Sequence, residues 1–205
     1  MYQPTHFRID DRATLHGLMQ THPLATLVAS TADGLIANHL PLMLDAARGV
    51  LTGHVARANP LWQTPLQGQA LAVFQGPQAY ISPSAYPSKA EHGKVVPTWN
   101  YAVVHVHGRL RFFDDGDELR ALVSRLTHLH EAARPQPWQV SDAPADYIAT
   151  MLRAIIGFEL GIERIEGKWK VSQNRSAADA LGAAAMLDAT GQTESAALIL
   201  AHRPA

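Results

Sequence analysis

The stretch Leu24–Val55, LATLVASTADGLIANHLPLMLDAARGVLTGHV, decides the fold. Leu24 to Ser30 is an apolar, β-branched run of strand length, and Asp33-Gly34 after it tolerates the positive φ angles of a tight hairpin turn. Leu35 to Leu44 reads as the return strand. It contains Pro41, which has no N–H to give a ladder and belongs at an edge or a bulge. Ala46 to Gly49 is a second turn and Val50 to Val55 a further strand. Turns this short leave no room for a crossover helix, so the spacing predicts an antiparallel meander and not a βαβ unit.

Downstream, Asn59-Pro60 opens a helix expected from Pro60 to about Gln67, ending at Gly68. Asn is a preferred N-cap, and Pro at the first helical position has the right φ and no wasted N–H. Ala70 to Phe74 and Ala79 to Ser82 read as two strands. They lead into SPSAYPSKAEHGKVVP (Ser82–Pro97), a loop of a length that marks function or mobility. Thr98 to Phe113 is a long strand, and Asp114-Asp115-Gly116-Asp117 ends it and caps a helix whose Leu119, Leu122, Val123, Leu126 and Leu129 recur at helical spacing. Pro144 to Leu152 is a short helix, and IIGFELGIERIEGKWKVSQ reads as a strand pair turning near Glu166-Gly167. From Ser176 the chain is Ala-rich and helical, split at Gly191. The predicted class is α+β, mainly β: an antiparallel β-barrel with peripheral helices, residues 1–175 forming the domain and 176–205 a helical annex of it.

The chain has 205 residues, 47% of them hydrophobic and 17% charged, an ordinary composition for a folded domain with a substantial core. With no cysteine there are no disulfides and no thiolate metal sites. No apolar stretch is long enough to span a bilayer, and MYQPTHFRIDD lacks the basic-then-apolar order of a signal peptide, so the cytoplasm is the expected location. Seventeen Lys and Arg against eighteen Asp and Glu give a net charge of −1, which offers no support for a nucleic-acid-binding face. The last helix, QTESAALILAHR, begins with Glu194 and carries Arg203 at its far end, whereas recognition helices present Arg, Lys, Asn or Gln early. A packed helical hairpin is the preferred reading of this end.

Candidate ligand groups fall in three places. In LTGHVARANPLW (Leu51–Trp62) the Thr52 hydroxyl, the Arg57 guanidinium and a helix start at Asn59 converge on a pocket suited to phosphate. In VVPTWNYAVVHVHG (Val95–Gly108), period two puts Asn100, Ala102, Val104 and Val106 on one face, and Trp99, Tyr101, Val103, His105 and His107 on the other, a polar-and-aromatic wall for a planar ligand. His105 and His107 stand at a spacing that can share a metal, but no carboxylate follows at a recognisable ligand spacing and no metal is expected. In GKWKVSQNRS, Lys168, Lys170 and Arg175 accompany Gln173 and Asn174, a basic strand end that reaches an anionic ligand or is simply solvated. Neither a G-x-S-x-G elbow nor a Gly-rich dinucleotide fingerprint occurs.

Taken together, HVARANPLW, YISPSAYPSK, VVPTWNY and WKVSQNRS, in this order, resemble the PaiB-type FMN-binding negative transcriptional regulators, split-barrel flavoproteins related to pyridoxamine phosphate oxidase. The resemblance runs from MYQPTHF to about Asp179. It implies a homodimer of split β-barrels with FMN at the subunit interface. It further implies a cofactor set of Asn38, His39 and Leu40 along the isoalloxazine, Thr52, Gly53, Ala56, Arg57 and Asn59 at the phosphate, and Trp99, Asn100, Lys170 and Gln173 elsewhere on the cofactor. Thr52 and Arg57 match the family superfold's hydroxyl and Arg, while Ala56 and Ala58 stand where a Ser and a Lys would be. The Arg-and-His motif by which the oxidases hold their substrate's phosphate has no counterpart in WKVSQNRS, so that oxidase activity is not implied and no catalytic residue is named. The alternative reading is an FMN-dependent oxidoreductase using NAD(P)H or an amine, its substrate entering under the Ser82–Pro97 loop.

Overall fold

The computed structural model describes residues 1–204. Eight strands form one sheet: β1 (Arg8–Ile9), β2 (Leu24–Thr31), β3 (Gly34–Pro41), β4 (Met43–Asp45), β5 (Val50–Ala56), β6 (Ala70–Ile81), β7 (Thr98–Phe113) and β8 (Ile155–Lys170). Their order is β3-β2-β6-β7-β8-β5-β4, with β1 added antiparallel to β8. Six α-helices accompany them: α1 (Arg12–Thr21), α2 (Ser88–His92), α3 (Gly116–Glu131), α4 (Ala145–Arg153), α5 (Ala177–Ala189) and α6 (Thr193–His202). The described residues divide into two compact units, one of residues 1–18, 74–105 and 166–204, the other of residues 19–73 and 106–165.

In the second unit, β2 and β3 form the expected hairpin, with Thr31 opposite Gly34 and Gly34 at φ +118°. The meander does not continue from there. β3 stops at Pro41, Leu42 turns into the core with 2% exposure, and β4 and β5 form a separate hairpin at the other end of the strand order. Pro41 is the reason: it ends the ladder on a terminal strand, where a missing N–H costs nothing. β5 pairs antiparallel with β8, placing Thr52 opposite Glu159 and His54 opposite Gly157. Gly157 is a close-approach residue, since a Cβ there would lie 2.3 Å from the Phe113 ring. The Asp115 carboxylate caps α3 by accepting from the Asp117 and Glu118 N–H groups at 3.1 and 2.9 Å. Leu119, Val140, Ile148 and Leu152 then cluster under Phe113 and Val123, which joins α3 to α4 through buried apolar surface.

The helix expected over Pro60–Gln67 is a single 3-10 turn, Pro60–Trp62. Asn59 caps it as predicted, its side chain accepting from the Leu61 N–H at 3.0 Å. Pro65 stops it: proline clashes with the preceding turn and keeps Thr64 out of helical geometry.

In the first unit two breaks read from the sequence are absent. β6 runs without interruption through Gly76 and Pro77, and β8 runs straight through Glu166-Gly167 instead of turning there. Both glycines serve close packing. A Cβ at Gly76 would lie 2.7 Å from Leu18, and one at Gly167 would lie 2.0 Å from Leu15. The Ser82–Pro97 loop is partly ordered by a 3-10 turn, Pro83–Ala85, and by α2. α5 packs against it at Gly182, where a Cβ would come within 2.1 Å of the Ala85 carbonyl oxygen.

Candidate functional site

The phosphate corner predicted from Leu51–Trp62 lies in the second unit. Thr52 is 1% exposed and its hydroxyl donates weakly to the Met43 carbonyl at 3.4 Å. Gly53 lies between Leu42 and Phe158, where a Cβ would sit 2.8 and 3.0 Å from their side chains, so any larger residue must displace the Leu42 methyl. Ala56 ends β5, and its carbonyl accepts from the Asn59 N–H at 2.8 Å, closing the turn. Arg57 is held on four sides. Its backbone N–H donates to the Ala154 carbonyl at 2.8 Å, Nε to the Arg153 carbonyl at 2.7 Å, one terminal nitrogen to the Ile155 carbonyl at 3.4 Å, and the other meets Asp114 at 3.4 Å. The guanidinium therefore sits at the C-terminus of α4, where the helix dipole favours a cation. Arg57 and Asp114 border a cavity of about 310 Å³ together with Asp117, Arg120 and Arg153.

Asn59 links this corner to the segment expected along the isoalloxazine. Its amide donates to the Asn38 side-chain oxygen at 2.6 Å, while the Asn38 amide nitrogen is buried with no acceptor. His39 and Leu40 follow on β3, opposite Thr26 and Ala25, with His39 exposed. The sequence reading missed His54, which lies on the Thr52 face of β5. Its Nδ1 is buried without a partner, and burial pushes its pKa down, favouring the neutral ring. It missed Glu159 as well, which accepts from Arg48 at 2.8 Å and from Arg111 at 3.1 Å opposite Thr52. Only the pairing register reveals that neighbour, because Thr52 and Glu159 are far apart in sequence.

The remaining candidates lie in the first unit. Asn100 is 3% exposed; its amide donates to the Ser172 hydroxyl at 2.9 Å and its side-chain oxygen has no donor. Lys170 donates to the Trp99 carbonyl at 2.7 Å and to the Thr98 hydroxyl. Burial pushes its pKa down, and the charges of Lys168 and Arg175 push it the same way. Gln173 folds onto its own turn, donating to the Trp169 carbonyl at 2.7 Å and accepting from the Val171 N–H at 2.8 Å. Trp99 is half exposed, with its indole N–H on Gln78 at 3.1 Å and its ring 6.1 Å from that of Tyr80. Ser172, missed from sequence, is the acceptor that orients Asn100.

Each unit, taken by itself, holds one orphaned buried amide group of a kind that fits a flavin: in the second, the Asn38 amide N–H can donate to a ring carbonyl, and in the first, the Asn100 amide oxygen can accept from a ring N–H. Residues 1–164 match the family described as "Putative FMN-binding domain". The chain is 32% identical over 182 residues to the Protease synthase and sporulation protein PAI 2 of Bacillus subtilis, covering 87% of this chain and 85% of that protein. Among solved structures it is similar to the flavocytochrome Anf3 from Azotobacter vinelandii, with a TM-score of 0.58 and 12% identity over 80% of this chain and 69% of that one. It is also similar to the FAD and heme binding protein from Mycobacterium smegmatis, with a TM-score of 0.57 and 15% identity over 79% of this chain and 72% of that one. Antiparallel strands, peripheral helices and these likenesses define the split-barrel fold. The chain belongs to the PaiB-type FMN-binding family, and its cofactor is FMN. No helix among the described residues is long and apolar enough to cross a membrane.

Proposed function

We propose that the protein is a cytoplasmic homodimer that binds FMN at its subunit interface and acts as a negative transcriptional regulator. The FMN phosphate lies at Thr52, Gly53, Ala56, Arg57 and Asn59, and the ring along Asn38, His39 and Leu40, with Trp99, Asn100, Lys170 and Gln173 completing the set. The observation that carries this reading is the 2.6 Å bond from Asn59 to Asn38, which ties the phosphate turn to the ring-side strand and leaves one amide N–H facing no protein acceptor.

When bound, FMN supplies reversible one- or two-electron transfer. The chain's residues position it. Gly53 lets the backbone run close, Asn59 caps the turn with its side-chain oxygen by accepting from the Leu61 N–H, and Arg57 supplies the fixed positive charge that a phosphate recognises bidentately. The regulatory role is drawn toward an indirect route by charge: the chain is near neutral, and Arg203 at the end of α6 donates to the Leu200 carbonyl of its own helix at 2.6 Å. Flavin absorbance of the purified protein and titration of the apoprotein with FMN test the cofactor site. No flavin uptake, together with no effect of Arg57→Ala, overturns it. Size-exclusion chromatography with light scattering tests the dimer, and a monomeric mass for the FMN-loaded protein overturns that part.

A further inference from the structure

A cavity of about 470 Å³ in the second unit shares no residue with the cofactor set, and its size is that of a small-molecule pocket. One wall is α3, where Arg120, Ser124, Thr127 and Glu131 recur at the spacing of a single helix face, with His128 beside them. The other wall is the segment after the helix, which folds back and brings Trp138 to the same space. Fixed contacts hold this second wall. The Glu131 carboxylate accepts from the Trp138 backbone N–H at 3.1 Å and pairs with Arg134 at 3.0 Å. The Gln139 N–H donates to the Asp142 carboxylate at 2.8 Å, which caps a 3-10 turn over Val140–Asp142. Val140 is buried in the cluster of Leu119, Ile148 and Leu152. The cavity is thus built into the fold, and a ligand entering it is spared the cost of ordering a loop.

The chemistry of the lining is one-sided. Glu131 has one oxygen on the Trp138 N–H and the other on Arg134, so its charge is already matched. Arg120 is the one permanent cation in the lining and makes no ion pair among the described residues. The Ser124 and Thr127 hydroxyls and the His128 ring are all able to donate beside it. Trp138 is 44% exposed, so its ring offers a flat apolar face while its backbone stays fixed. One guanidinium matches one carboxylate bidentately, whereas a phosphate dianion would bring a second negative charge toward Glu131 with no cation to meet it. Arg120 also borders the cavity beside Arg57 and Asp114, but Trp138 does not.

We infer that this cavity binds a small aromatic carboxylic acid, with its ring against Trp138 and its carboxylate on Arg120. The acid is a ligand separate from FMN. The site is made of the second unit's own residues and does not rest on the proposed cofactor set.

The test is isothermal titration of the FMN-loaded protein with benzoate, with naphthoate and with naphthamide, which keeps the naphthoate ring and lacks its charge. Wild type, Arg120→Gln, Trp138→Leu and the control Arg125→Gln, exposed on α3 outside the cavity, are compared. Trp138→Leu leaves the bond to Glu131 in place, because that bond is made by the backbone N–H. The expected result is one saturable site per chain for at least one of the two acids, with naphthamide about tenfold weaker or more than naphthoate. Arg120→Gln lowers the affinity for the acid about tenfold or more and removes its advantage over the amide. Trp138→Leu weakens acid and amide alike, the control binds as wild type does, and FMN absorbance stays with the protein throughout. The inference is overturned if neither acid binds, if the amide binds wild type as tightly as the acid, or if the acid expels FMN. It is overturned as well if either cavity variant binds as wild type does; a loss with Arg120→Gln alone puts the acid in the cavity beside Arg57. A wild type that holds no FMN fails the cofactor reading only, since the same titration is then read on the chain without it.

Discussion

Asp179 accepts two hydrogen bonds from Ser88, one from its backbone N–H at 3.1 Å and one from its hydroxyl at 2.7 Å. The pair fastens α2, in the middle of the Ser82–Pro97 loop, to α5. Burial pushes the Asp179 carboxyl up, but the bonds from Ser88 and Ser176 and the charge of Arg175 outweigh it and hold the pKa below the usual range. Asp179→Ala is expected to cost about 1–3 kcal/mol and to release the loop. Limited proteolysis reads it as faster cleavage between Ser82 and Pro97, and an unchanged cleavage rate would refute the fastening.

Glu159 is the acid-sensitive point of the second unit. Burial raises its pKa, but the Arg111 and Arg48 bonds lower it further, so the folded value lies below the unfolded one. Its stabilisation is then fully present above the unfolded carboxylate range and is lost as the pH falls through the depressed folded value. Glu159→Gln is expected to destabilise by about 1–2 kcal/mol at pH 7, the figure being reduced because both arginines are half exposed. The gap between variant and wild type should close on acidification. Thermal melts across pH 3 to 7 (roughly the range over which a carboxylate titrates) check this, and a gap that persists undiminished in acid contradicts it.

For Arg57, replacement by Ala should weaken FMN binding about tenfold or more, since a charged bidentate donor is lost. Arg57→Lys should recover little, because a point charge lacks the planar fork that reaches the Arg153 and Ile155 carbonyls. Quenching of flavin fluorescence on titration gives both constants. Equal affinities for Arg57→Ala and wild type would remove Arg57 from the site.

Gly108 brings β7 close to β8, with the tightest surroundings of any glycine in the chain. A Cβ there would stand 1.9 Å from the Gly161 carbonyl oxygen, which is backbone and cannot swing aside. Gly108→Ala should cost more than about 3 kcal/mol, or abolish folding. Urea denaturation decides it, and a loss under about 1 kcal/mol would show that the strands part easily.

Direct DNA binding by the protein is expected to be absent or feeble. A gel shift at low salt, where phosphate contacts are strongest, should show none at protein concentrations that bind nonspecific partners of basic proteins. A tight shift with a steep salt dependence would replace the indirect route with a direct one.

Local chemistry was legible in the sequence. Asp33-Gly34 gave a hairpin, Asp115 an N-cap and Asn59 a cap, because each effect is settled within a few residues. Glycine was where the reading failed, since a glycine that permits a turn and one that admits a neighbour look alike in a single sequence. Gly76 and Gly167 admit Leu18 and Leu15, so β6 and β8 continue where breaks were expected. Pairing order was hidden for a similar reason: nothing in the short Pro41–Met43 link says that β4 joins the opposite end of the strand order from β3. At the candidate site, the strand end and the Asn59 cap of the Leu51–Trp62 stretch could be read from sequence. The partners that now hold Arg57 could not, because Asp114, Arg153 and Ile155 reach it only through the fold.

Ser172 has a backbone φ of +69° and is 3% exposed. An L-residue there is strained by about 1–2 kcal/mol, which glycine escapes. Yet its hydroxyl is the acceptor that orients Asn100, and glycine has none to offer. Heat resistance and ligand readiness are thus opposed at one position: a library screened for survival at high temperature should enrich Ser172→Gly, and one screened for flavin retention should discard it.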